Sequence, residues 1–143
     1  SVHWVKIRVD PETGEVVPLH YLAIQDVGFA LNPMLIEGQI HGGVVQGLGW
    51  GMRESMEFDE QGLLLNPSFM DYALFRADEI PPVDIELIEK PSPHGPFGIR
   101  GVGEPPIVPG AAALASAIQN TVGIRFCELP VRSENVWQAM KKA

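Results

Sequence analysis

Residues 42–51 read GGVVQGLGWG, apolar enough for a buried helix, yet half of the ten positions are glycine. Each interior glycine weakens a helix by roughly 1 kcal/mol relative to alanine. A helix that accepts several such losses within three turns should let something approach its backbone closely. Two readings follow: close helix–strand packing, where small residues let backbones approach, or a ligand laid against bare backbone. The upstream flank marks where the helix begins. Asn32-Pro33 is a strong start, because asparagine accepts from free amides of the first turn and proline's missing donor is harmless there. From position 33 to about 55, Ile36, Ile40, Val44 and Leu48 recur at helical spacing beside Gly43, Gly47 and Gly51, making one continuous face. Gln39 and Gln46 share a face, with Gly42 and Gly43 between them, and Gln46 could offer a ligand both a donor and an acceptor.

The remaining elements are read from period and punctuation. Residues 2–9 alternate and 15–24 form a second extended run, with PETG between them as turn chemistry, so a hairpin is predicted. MEFDEQGLLL resembles a short second hairpin turning at 59–62, and 85–88 reads as a strand. Segment 91–110, PSPHGPFGIRGVGEPPIVPG, predicts a long ordered loop anchored by Phe97, Ile99, Val102, Ile107 and Val108. Loops of that length in compact domains are usually functional or disordered, and buried anchors favour function. Ala111, Leu114, Ala115, Ile118 and Val122 then form a helical stripe, with Pro109 near its start and Gly123 just past its end. IRFCELP reads as a last strand holding Cys127 as a small buried residue, and 133–142 as a final helix. Trp4, Trp50 and Trp137 are assigned to core or interface. The expected class is α+β, a mixed sheet with hairpins packed against two main helices, in a single domain over 1–143.

Bulk properties exclude several functions. A net charge of −8 with few, scattered basic residues argues against a nucleic-acid surface. One cysteine excludes an internal disulfide and a cysteine-based metal cluster, and fits a reducing, cytoplasmic compartment. The four histidines show no zinc spacing, and Glu37 and His41 read as a solvated pair one turn apart. No metal ligand is assigned, and no apolar stretch reaches the roughly 18 residues of a membrane span. The opening inside a strand, without an initiator methionine, suggests one piece of a larger subunit.

A second stretch with chemical content is GIRGVGEPP, residues 98–106. Its three glycines would let backbone amides converge on an anionic or polar ligand. Glu104 follows directly and is held by Pro105-Pro106, both locked in φ. It could cap the following helix, or it could be a general base, whose geometry must be set before its pKa matters. The stretch alone does not choose. A small acid–base enzyme pairing Glu104 with Asp71 or Glu37 is disfavoured, since no spacing pairs them.

The order DVGFALNPMLIEGQIHGGVVQGLGWGMRE, then MDYALFRADEIP, then GIRGVGEPPIVPGAAALASAI, then ELPVRSENV resembles the C-terminal part of the molybdenum-binding large subunit of the xanthine dehydrogenase, aldehyde oxidase and carbon monoxide dehydrogenase family. The resemblance runs from about Ala23 to Val136 and rests on a GxxQG stretch followed downstream by GVGEPP. It implies an oxidoreductase that hydroxylates a purine, aldehyde or heterocycle carbon with oxygen from water. Molybdenum is held there by molybdopterin, usually as the cytosine dinucleotide in bacteria. It further implies Glu104 as the general base and Gln46 as a hydrogen-bond partner of the pterin, with Gly42 and Gly43 beside it. Backbone at Arg100, Gly101, Val102 and Gly103 would lie by the cofactor. Arg100 stands where many relatives have lysine, and Phe29 where a polar or basic residue is common. Implied partners are the remainder of the molybdenum-binding subunit, iron–sulfur and flavin (FAD) domains or subunits, and a small-molecule substrate. The isolated chain is expected to bind no cofactor and to be inactive. A non-catalytic binding or assembly module of the same fold is the competing reading.

Overall fold

The hairpin forms, and its alternation breaks once for a local reason. In the computed structural model, which describes residues 1–142, β1 (Val2–Val9) pairs antiparallel with β2 (Val16–Asp26). The register passes from Lys6 opposite His20 to Ile7 opposite Pro18, which leaves Leu19 as a bulge. Pro18 brings no amide to the ladder, and a bulge is where a strand tolerates that. The extra residue switches the buried parity: Val16 and Pro18 point inward before it, Tyr21, Ala23 and Gln25 after it. On the other side of β2 lies β3 (Val83–Ile88), parallel to it, giving the order β1-β2-β3. Parallel neighbours require a crossover, and α1 (Pro33–Met52) lies within it. Half-buried Val83, Ile85 and Leu87 alternate with exposed Asp84, Glu86 and Ile88, so only one face of the sheet is covered.

Against that face pack α1 and α2 (Gly110–Val122), with α3 (Ser133–Lys142) closing one end. Tyr21, Ile40, Leu48, Leu114 and Ile118 are fully buried in the shared core. Each such aliphatic side chain contributes on the order of 1.5–3 kcal/mol through burial. Both caps of the main helices follow from sequence. Asn32 accepts from the Leu35 amide at 3.2 Å, and Gly123 ends α2 in the left-handed conformation at φ 76°.

Apart from Gly49, which lies against the Glu54 side chain, the glycines of α1 divide into two groups. A Cβ on Gly43 would stand 2.6 Å from the Pro106 Cβ, one on Gly47 2.9 Å from the Gly110 Cα, and one on Gly51 2.7 Å from Leu114 Cδ2. Protein therefore fills the space along this ridge, but it is the loop at Pro106 and the start of α2 that pack there, not the strand expected from sequence. Gly38 and Gly42 face the other way, and a Cβ there would meet nothing within 4 Å.

Several expectations are corrected. IRFCELP joins no ladder among the described residues; the chain there runs from the end of α2 to α1, where the Val131 amide bonds the Gly51 carbonyl at 2.7 Å. Cys127 is exposed for the same reason. The second hairpin reduces to one bridge, Phe58 with Leu64, because Asp59 Oδ1 takes up the amides of Gln61 and Leu63. Of the expected loop anchors, Ile99, Val102 and Ile107 are half-buried, but Phe97 is 83% exposed and Val108 is also outside. The three tryptophans, assigned to core or interface, are exposed, which corrects the core half of that assignment alone.

Gly47→Ala should destabilise the fold by about 1–3 kcal/mol, as overpacking does, whereas Gly38→Ala should stabilise it by about 1 kcal/mol through helix propensity. Urea unfolding of the two variants checks both signs. A further test concerns His3, whose Nδ1 lies 2.8 Å from the Tyr21 hydroxyl while its Nε2 is buried without a partner among the described residues. Burial, aided by the N-terminal charge, pushes its pKa down to about 4. The folded state thus favours neutral imidazole, so this stability is full above pH 6.5 and falls between pH 6.5 and about 4. His3→Phe should flatten that part of the urea-midpoint profile against pH.

Candidate functional site

The site is organised by three stretches that α1 and the end of β2 bring together. At 3.6 residues per turn, Gln39 and Gln46 project within about 20° of one another, two turns and about 10 Å apart along α1. Gly42 lies on the same side between them. These three form the border between the packed glycine ridge and an open flank.

On that flank is a cleft of about 540 Å³ lined by His41, Gly42, Val45, Gln46, Glu54, Leu74, Phe75 and Ile80. Gln46 is exposed there and lines the cleft. The far wall, residues 72–80, is pinned to the end of α1 by polar contacts. Arg53 forms a two-pronged pair with Glu79 at 2.7 and 2.9 Å and stacks over the Phe75 ring at 4.2 Å. The Tyr72 hydroxyl donates to Glu54 Oε2 at 2.8 Å. Arg53, with the Arg76 amide, holds the Glu79 carboxyl down at about 2.

The GVGE loop borders the same helix on the ridge side. Gly28, at φ 70°, ends β2 in a turn whose missing Cβ admits the Gly98 carbonyl; that Cβ would lie 2.3 Å from it. The Arg100 amide donates to the Val27 carbonyl at 2.9 Å, and Arg100 Nε lies 3.3 Å from Asp26 Oδ2. Gln39 Nε2 donates to the Gly103 carbonyl at 2.8 Å. Pro106 seats against Gly43. Glu104 between them is exposed, and its side chain makes no hydrogen bond or ion pair among the described residues. Its carbonyl accepts from the Ile107 amide at 3.0 Å. The helix-cap reading of Glu104 fails, since α2 begins only at Gly110 and its N-cap, Pro109, carries no side-chain cap bond.

The structure puts Gln39, Gly42, Gly43 and Gln46 on α1 and brings Gly103 and Pro106 against that helix, while Arg100 is tied to the end of β2. Gln46 and Gly42 line the cleft; Gly43 is occupied by Pro106; Gly101 and Gly103 have open space where a Cβ would be. Val102 is half-buried against the core and Arg100 is engaged by Asp26. Glu104 stands on the adjoining stripe and does not line the cleft itself. Among the described residues no group of His, Cys, Asp and Glu could hold a metal ion, and no helix is long and apolar enough to cross a membrane. Sequence reading missed Asp26, Arg53, Glu54, Tyr72 and Glu79. Only Asp26 had a visible signal, in the DVG that turns the chain at the end of β2.

Comparison with known proteins decides the family. The model of a molybdopterin cofactor-binding domain matches residues 1–81. The chain belongs to the molybdopterin-binding domains of the molybdenum hydroxylases. It is 38% identical to the carbon monoxide dehydrogenase large chain of Hydrogenophaga pseudoflava, covering 99% of this chain and 18% of that protein. Identity to the putative xanthine dehydrogenase molybdenum-binding subunit of Escherichia coli K12 is 33%, over 94% of this chain and 18% of that one. The aldehyde oxidoreductase structure from Desulfovibrio gigas superposes with a TM-score of 0.88 at 32% identity, covering 96% of this chain and 15% of that chain. The chain thus spans less than a fifth of the length of these relatives. The α+β class and the mixed sheet against helices hold for this molybdenum hydroxylase domain.

If the far wall of the cleft depends on Arg53, then in Arg53→Met the Glu79 carboxyl should titrate back towards 4.5. Carbon-detected NMR titration of the Glu79 carboxyl reads this directly.

Proposed function

We propose that this chain forms the C-terminal part of the large subunit of a molybdenum hydroxylase, acting on a carbon of a purine, aldehyde or aromatic heterocycle. Glu104 is its general base, and Gln46 with the open backbone of Gly42 takes the pterin. The observation that carries the reading is the placement of GVGE and the Gln46 cleft on adjoining stripes of one helix. The residues present suit such a group. Gly42, Gly101 and Gly103 leave room beside the backbone, and Gln46 presents a donor and an acceptor to a heterocycle edge. Arg100 spends Nε on Asp26, which leaves its terminal nitrogens for an anionic part of the cofactor.

When bound, the molybdenum–pterin group supplies a two-electron oxidant and an activated water-derived oxygen. The protein's own work is proton and position control. The Glu104 carboxylate would accept the proton from the attacking hydroxyl, and it is available for this because no protein group among the described residues claims it. Pro105 and Pro106 hold the carboxylate's backbone, so little reorganisation is needed at the reacting step. The cofactor is taken to be the cytosine dinucleotide form. Iron–sulfur clusters and flavin in other domains or subunits would carry electrons away, since Cys127 alone cannot hold a cluster. By itself the chain would retain no cofactor and turn nothing over. The setting is cytoplasmic.

Expression with the rest of its subunit and the electron-transfer partners, followed by metal analysis and assays with carbon monoxide, xanthine and benzaldehyde, tests this. Glu104→Gln should keep molybdenum near the unsubstituted level and cut turnover by about 10²–10⁴-fold or more. Gln46→Ala should lower cofactor retention more than turnover per bound metal. Full activity in Glu104→Gln would favour a module that serves only assembly.

A further inference from the structure

We propose that Gln39 is the positioning residue of Glu104, an inference that rests on the reading of Glu104 as the base. The Glu104 side chain has no protein partner among the described residues, so its direction is set by the backbone on either side of it. The two sides are constrained very differently. Downstream, Pro105 fixes its own φ and restricts Glu104 to extended ψ. Pro106 is pressed against Gly43, where a Cβ would lie 2.6 Å away. The Glu104 carbonyl is also taken up by the Ile107 amide at 3.0 Å.

Upstream, packing reaches as far as Val102 but not Gly103. Gly103 is the freest residue type, and a Cβ on it would meet nothing within 4 Å, so packing does not hold it. The side-chain hydrogen bond that fixes this flank is the one from Gln39 Nε2 to the Gly103 carbonyl, at 2.8 Å. That oxygen belongs to the peptide plane joining Gly103 to Glu104. Holding it sets the plane from which the Glu104 Cα–Cβ bond departs. Gln39 and Gly43 are one turn apart on the same face of α1, so a single helical turn grips residue 103 on one side of the base and residue 106 on the other. Removing the donor frees one grip and leaves the other intact. The carboxylate then samples orientations without any change in the cleft at Gln46.

The test uses the assembled enzyme with Gln39→Met, which keeps the length and loses the donor, and Gln39→Lys, which restores a donor. The first readout is amide hydrogen exchange of the peptide covering residues 101–107; the second is kcat, KM and molybdenum content with carbon monoxide, xanthine and benzaldehyde. Gln39→Met should speed exchange at least fivefold in that peptide and lower kcat about tenfold. KM and metal content should stay within twofold, and Gln39→Lys should recover most of both effects. In a Glu104→Gln background the same substitution should cost no further turnover. Unchanged exchange in Gln39→Met overturns the inference, as does a loss shared equally with metal content or one that persists in the Glu104→Gln background. A neutral Glu104→Gln overturns the base assignment instead, and faster exchange in Gln39→Met would still uphold the grip on the loop.

Discussion

The contact between the glycine ridge of α1 and the segment from Pro106 to Leu114 is the constraint on which the rest depends. At Gly47 and Gly110 two backbones meet so closely that neither has room for a methyl group. Such proximity leaves little freedom for sliding or rotation, because protein interiors resist changes of even one methylene. It fixes where α2 starts, and through Pro106 it fixes where the GVGE loop must turn. The helical propensity lost at these glycines is offset by the core that the approach closes, with Leu48, Leu114 and Ile118 fully buried around it.

The same helix serves two purposes because its glycines are not equivalent. Gly43, Gly47 and Gly51 face protein, whereas Gly42 faces open space beside Gln46. Gly38 is equally bare, and what sets Gly42 apart is that it lines the cleft beside Gln46. In the proposed molybdenum hydroxylase the ligand there is the pterin. The polar ties at the end of α1, Arg53 to Glu79 and Glu54 to Tyr72, then shape the opposite wall from residues that have no role in the packing.

Much of this was legible in the sequence, for physical reasons that differ by element. Asn32-Pro33 and Gly123 announced helix ends because their chemistry acts locally. The hairpin strands were legible from alternation, although the bulge at Leu19 that reverses it was not. The last strand was read wrongly, since IRFCELP has strand composition but no neighbour to pair with, and pairing is a tertiary fact. The parallel partnership of β2 and β3 was hidden for a similar reason: the crossover brings together residues far apart in the chain. At the site, GxxQG and GVGEPP were visible as motifs. The bond from Gln39 to Gly103 was not, because it joins positions 64 residues apart and Gln39 looks like any exposed helical glutamine. Glycine count alone could not separate Gly42 from Gly43, since only the fold shows which one Pro106 fills.

Helix α1 carries both the contacts to the loop and the border of the cleft. Because Gln39 and Gly43 hold the acidic loop while Gln46 borders the hollow, all three ride on one rigid rod. Any drift of that rod, from a distant substitution or from thermal sway, carries acid and hollow along as a fixed pair. Their mutual spacing is thereby tied to the helix itself rather than to the segments around it.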